Sequence, residues 1–218
     1  MDGSSDRLSR TIWTGISLLI VILCASYVLS RLEPRHGRAS SPPILGRVAD
    51  FTLTNQAGMA VSLADLRGRV WVADIIFTRC AGPCPRMTQQ MRELQAALPP
   101  TSQARLVTLT TDPDFDTPQV LKRYAERFGA DTNRWMFLTG TKKEIGGLAV
   151  DSLKLSAVEK KPEERADPAD LFVHSTIFVV VDKRARLRGV FETTGEGVDP
   201  AHVRSEILAT VQRLERER

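Results

Sequence analysis

Residues 70–77, VWVADIIF, form a near-continuous apolar run of strand length, and Thr78-Arg79-Cys80-Ala81-Gly82-Pro83-Cys84-Pro85 follows at once. A run of that kind reads as a strand buried on both faces. Gly82, Pro83 and Pro85 then turn the chain. Met87, Met91, Leu94, Ala97 and Leu98 recur at helical spacing and predict a helix over 85–98. A buried strand feeding a helix through a tight turn calls for a sheet covered on both faces, which is α/β architecture.

The remaining pattern agrees. Residues 50–54 and 60–63 alternate around the turn signal Asn55–Gly58 and read as a β-hairpin. Residues 105–110 (RLVTLT) are a second buried strand. Over 117–128 a helix opens with Thr117 as N-cap and Pro118 at its first position, and Gly129 ends it. A short strand at 135–138 and a short helix at 141–149 precede a charged, Pro-containing excursion over 151–172. Strand 175–181, a turn at 182–185, strand 186–192 and a closing helix over 199–215 complete the chain. The expectation is a mixed sheet flanked by helices, in the order of a thioredoxin-like fold with an added N-terminal β-hairpin.

Ahead of this domain, Ile12 to Leu29 (IWTGISLLIVILCASYVL) runs eighteen residues without a charge. That is just long enough to cross a hydrocarbon core of about 30 Å. Trp13 and Tyr27 stand near its ends, where amphipathic rings favour the membrane interface. We expect a tail over 1–11, a single transmembrane anchor over 12–29, a Pro- and Ser-containing tether over 30–47 and one domain over 48–218. Arginines flank both ends of the span, so charge does not decide its orientation. The net charge of +4 on 218 residues is mild and gives no argument for nucleic-acid binding. A monomeric soluble domain is expected.

The chemistry concentrates on Cys80 and Cys84. They fall at the carboxyl end of a buried strand, where open α/β sheets build their sites. A helix N-terminus beside them favours thiolate, the reactive and metal-ligating form. The spacing Cys-x-x-x-Cys lets the pair converge on one metal ion or close to a disulfide. The bland alternative is two small buried hydrophobes. A closed four-ligand zinc site is poorly supplied, because His36 lies in the tether and His202 on the last helix. His174 precedes strand 175–181. Two thiolates and an imidazole would make a three-coordinate soft site suited to Cu(I); the alternative is a hydrogen-bonded histidine at a strand start. In Thr110-Thr111-Asp112-Pro113-Asp114-Phe115-Asp116-Thr117-Pro118, the segment Asp116-Thr117-Pro118 reads as helix-capping chemistry. Asp112 has no such role and is a candidate orienting group or secondary, weak oxygen ligand for Cu(II).

Over about residues 48–215 the sequence resembles the SCO/SenC family of copper-binding cytochrome c oxidase assembly factors. The resemblance rests on DFTLTNQAGMAVSLADLRGRVWVADIIFTRCAGPCPRM, TTDPDFDTPQVLKRYAERFGAD, RWMFLTG and FVHSTIFVVVD, in that order. It implies a thioredoxin-like domain on a membrane anchor and Cu(I) held by Cys80, Cys84 and His174, with Asp112 matching the family's aspartate. It also implies a client: the copper-bearing subunit of the oxidase, given copper or having its thiols reduced. Placement in a bacterial-type inner membrane, with the domain on the periplasmic side, follows from that chemistry. Ala81 stands where the family usually has proline. The competing reading is a thiol–disulfide oxidoreductase that uses Cys80 and Cys84 catalytically and has no need of a third soft ligand. A peroxidase ranks last, since no Pro-x-x-x-Thr-x-x-Cys arrangement is present.

Overall fold

The structure is a computed structural model that describes residues 13–26, 41–156, 159–165, 171–172 and 175–217. The chain divides into two units, Met1–Ser40 and Ser41–Arg218. In the first, residues 13–26 form helix α1, whose apolar side chains, Leu18, Leu19, Ile20, Val21, Ile22 and Leu23 among them, are exposed. Among the described residues no helix is long and apolar enough to cross a membrane. The expected span over 12–29 extends beyond α1 at both ends, outside the described residues.

The second unit is built on one eight-stranded sheet. Its strands are β1 (Gly46–Arg47), β2 (Thr52–Asn55), β3 (Ala60–Ser62), β4 (Trp71–Ile76), β5 (Arg105–Thr110), β6 (Trp135–Thr139), β7 (Ile177–Val181) and β8 (Arg186–Glu192), in the spatial order β1-β8-β7-β4-β5-β6-β2-β3. Strands β4, β5 and β6 are parallel; β7 joins β4 antiparallel and pairs with β8 as a hairpin. The sheet is therefore mixed, as expected of a thioredoxin-like fold. The predicted N-terminal hairpin is β2–β3, joined antiparallel to β6.

Every residue of β4 is buried, and its side chains alternate between two cores. Val72 and Ile76 face a cluster closed by α3 (Cys84–Ala97), α4 (Pro118–Arg127) and α6 (Pro200–Arg216). Trp71, Ala73 and Ile75 face a second cluster with α2 (Leu63–Leu66) and α5 (Lys142–Gly146). This is the two-sided burial that the unbroken apolar run required. Thr117 caps α4 by accepting from the Val120 N–H, and Gly129 follows the helix at φ +65°, a left-handed conformation that glycine adopts without a Cβ penalty.

Two departures have local causes. The helix expected over 141–149 is an α-helix only to Gly146, then a π-helical turn over Gly147–Ser152. The Gly146–Gly147 pair offers little resistance to that change of winding. The excursion contains a 3₁₀ turn at Pro162–Glu164 and a bridge between Glu159 and Phe172, too short to leave a periodic signal.

Candidate metal and thiol site

Parallel pairing of β4 with β5 aligns Ile76 with Thr110, so the segments that follow both strands emerge at one edge. One carries Cys80 and Cys84; the other carries Asp112 and Asp116. The Cys80 N–H donates to the Phe77 carbonyl at 3.2 Å, closing a turn directly after the strand. Cys84 is the first residue of α3. The Thr88 hydroxyl donates to the Cys84 carbonyl at 2.9 Å and lies 2.9 Å from the Tyr124 hydroxyl.

Neither cysteine is in a disulfide and both are buried, with Cys80 6% and Cys84 3% exposed. The Gly82 N–H points at the Cys80 sulfur at 3.3 Å, a donor that suits a thiolate better than a thiol. A hydrogen bond with Cys80, and then burial, push the Cys84 thiol well above its ordinary range. Cys84 is therefore held as the thiol in the reduced pair.

His174 lies outside the described residues. Residues on either side of it are described. Phe172 packs its ring 5.0 Å from that of Phe77, and Phe172 and Ser175 line a cavity of about 10 Å³ together with Phe77, Cys84 and Thr111. The Thr111 hydroxyl is buried without a hydrogen-bond partner. A larger cavity of about 560 Å³, lined by the β2–β3 turn and α4, contains neither cysteine.

Asp112 is 6% exposed and its carboxylate takes a 2.5 Å ion pair from Arg79, whose guanidinium also stacks 4.1 Å over the Phe115 ring. An oxygen donor so engaged would have to give up Arg79 before ligating a metal. Thr117 caps α4 as expected, while the fully buried Asp116 carboxylate has a further role: it accepts from the Thr78 N–H at 3.1 Å, from the Thr110 hydroxyl at 2.5 Å and from the Thr78 hydroxyl. Burial raises its pKa against these donors.

Asp74 is the functional-looking residue that sequence reasoning missed. It stands in β4 on the face that carries Val72 and Ile76, fully buried. The Thr108 hydroxyl donates to its Oδ1 at 2.6 Å, and the Trp135 indole N–H donates to Thr108 at 2.9 Å, while Oδ2 has no partner. A single acid inside an apolar run was the available signal. Burial pushes Asp74 from its ordinary value of 3.8 up to about 7, with the Thr108 bond opposing. In the unfolded chain Asp74 gives up its proton near pH 4, in the folded protein only near pH 7. Stability is therefore expected to fall as pH rises from about 4 to about 7, by a few kcal/mol at most, and to stay level above. Asp74→Asn is expected to flatten that slope, read as the difference between urea midpoints at pH 5 and pH 8. Equal differences in wild type and variant would contradict the burial argument.

Comparison with known proteins places this geometry. The family model described as SCO1/SenC matches residues 45–212. The SCO1 protein homolog of Bacillus subtilis (strain 168) is 36% identical over 166 residues, covering 75% of this chain and 78% of that protein. The structure of BsSco, described as a member of the Sco family of cytochrome c oxidase assembly proteins with a disulfide switch, superposes with a TM-score of 0.64 at 33% identity, over 78% of this chain and 97% of the other. Copper-bound ScoI of Bradyrhizobium japonicum shares the fold, with a TM-score of 0.61 at 22% identity over 77% and 99% of the two chains.

Proposed function

The chain belongs to the SCO1/SenC family, and we propose that within it this protein is a membrane-anchored copper metallochaperone that serves assembly of the dinuclear copper site of cytochrome c oxidase. The observation that carries the reading is the buried, reduced Cys80–Cys84 pair at the carboxyl edge of β4, beside the cavity that Phe172 and Ser175 line. Copper is the cargo. Two thiolates and the His174 imidazole are a soft donor set of low coordination number, which suits Cu(I). Phe172 and Ser175 bracket His174 in sequence, and their packing at Cys84 supports its assignment as the third ligand.

The dithiol must lose both protons to the solvent as copper enters, since thiolate is the ligating form. Buried walls around the sulfurs exclude water and competing hard ligands. Release to a client site follows by ligand exchange, one thiolate at a time. Asp112 contributes by holding Arg79 rather than by ligation.

A second reading is favoured by the hydrogen bond between the two thiols. A pair that close can pass two electrons and two protons to a client disulfide, which is reduced to two thiols while Cys80 and Cys84 close their own disulfide. The exposed apolar surface of α1 supports membrane anchoring; the dithiol chemistry is the reason for placing the domain on the non-cytoplasmic side of a bacterial-type inner membrane.

The test is a copper count on the full chain in detergent. The reduced protein is expected to retain one Cu(I) through desalting and the disulfide form none. Equal copper in the two forms would refute thiolate ligation.

A further inference from the structure

Thr78 stands two residues before Cys80, and both of its polar groups are spoken for by one side chain. Its N–H donates to Asp116 Oδ2 at 3.1 Å and its hydroxyl donates to Oδ1. The same carboxylate takes the Thr110 hydroxyl at 2.5 Å, and Thr110 in turn accepts from the Asp112 N–H at 2.9 Å. The Asp116 N–H donates to the Asp112 carbonyl at 2.8 Å, which closes the 112–116 loop on itself. Asp116 therefore ties the exit of β4 to the exit of β5 at the edge where the cysteines emerge.

The chain of bonds continues to the sulfur. From Thr78 the backbone runs to Cys80, whose N–H is held by the Phe77 carbonyl and whose sulfur receives the Gly82 N–H. Arg79, between Thr78 and Cys80, is tied to the same 112–116 loop through Asp112 and Phe115. Burying a carboxylate costs far more than burying an apolar side chain of the same size, so a plain staple at this place needs no charge. What a carboxylate adds is direction, because two oxygens fix three donors in one geometry.

We propose that Asp116 is a positioning residue for the cysteine pair: its carboxylate fixes Thr78, and through Thr78 the approach to Cys80, so that it sets both the copper affinity and the thiol–disulfide equilibrium of the site. The proposal deepens the copper-and-thiol reading and rests on it. Groups that orient ligands from behind change metal affinity by roughly 10–100-fold when lost.

The test compares full-length chains in detergent: wild type, Asp116→Asn, Asp116→Ala, Thr78→Val and, as a control, Leu187→Ala in the core cluster on the opposite face of the sheet. Three quantities are read for each: melting temperature, Cu(I) affinity against a chelator of known strength, and the Cys80–Cys84 equilibrium against glutathione. Asp116→Ala is expected to move both equilibria by about tenfold or more. Thr78→Val keeps the N–H bond and loses the hydroxyl, so a smaller shift in the same direction is expected. Leu187→Ala is expected to melt lower with both equilibria unchanged. The proposal is overturned if the Asp116 variants only melt lower, or if the control moves the equilibria as far as they do. Should Asp116→Ala fail to fold, Asp116→Asn and Thr78→Val decide on the same criteria. Should wild type bind no Cu(I), the metallochaperone reading fails while the glutathione equilibrium still decides the role of Asp116.

Discussion

Cys84→Ser is expected to weaken Cu(I) binding by about a hundredfold to a thousandfold while the domain stays folded. Structural zinc sites, with four ligands, bind with roughly 10–16 kcal/mol, or about 2.5–4 kcal/mol for each donor. A three-coordinate site has no spare ligand to take over, and a serine hydroxyl is a hard donor that Cu(I) disfavours. Serine is close to cysteine in size, so the first turn of α3 and the Thr88 bond to the residue-84 carbonyl remain. Competition against a Cu(I) chelator measures the effect. A loss of less than tenfold would mean that Cys84 is one of the small buried hydrophobes that cysteines so often are.

The second large effect lies away from the cysteines. Arg188 is 3% exposed and binds Asp182 at 2.7 Å, Glu217 at 2.9 Å and the Pro42 carbonyl through Nε at 2.9 Å. It thus pins the start of the domain and the end of α6 to β8. Burial alone would raise Asp182, but its bonds from Arg186 and Arg188 hold it below its ordinary value. Arg188→Met removes the cation and leaves Asp182 buried with Arg186 alone. Breaking a buried pair in this way costs roughly 3 kcal/mol or more. For a domain of this size that is a fall in Tm of about 6–12 °C. Thermal unfolding of the full chain in detergent reads it directly; a fall under 2 °C would show the cluster to be no more than a surface ion pair.

The sequence was informative wherever side-chain periodicity or backbone sterics decided the outcome. The run 70–77 required a strand buried on both faces, and β4 is one. Thr117-Pro118 required a helix start, and α4 begins there. The late hairpin, the closing helix and the N-terminal hairpin were equally legible, because each has a face to bury. What remained hidden depended on contacts between distant segments. Asp116 sat within a segment that helix capping explained, so nothing in its neighbourhood announced that Thr78, 38 positions away, was its partner. Asp112 lacked a local explanation because its partner, Arg79, lies on the other strand's exit loop. Asp74 was passed over inside an apolar run whose periodicity it did not disturb. Cys80 and Cys84 stood out as a candidate site because Gly, Pro and a strand end surrounded them, while His174 drew its weight from the family pattern more than from its own surroundings.

The central claim is that copper is held by two thiolates and one imidazole. The most direct measurement is a Cu(I) titration of the reduced full chain in detergent against a chelator of known affinity, with wild type and His174→Ala run side by side. The account predicts one tightly bound copper in wild type and an affinity at least a hundredfold weaker in His174→Ala, with the Cys80–Cys84 disulfide still able to form. Copper binding indifferent to His174, alongside a readily cycled disulfide, would contradict it and leave a thiol–disulfide oxidoreductase in its place.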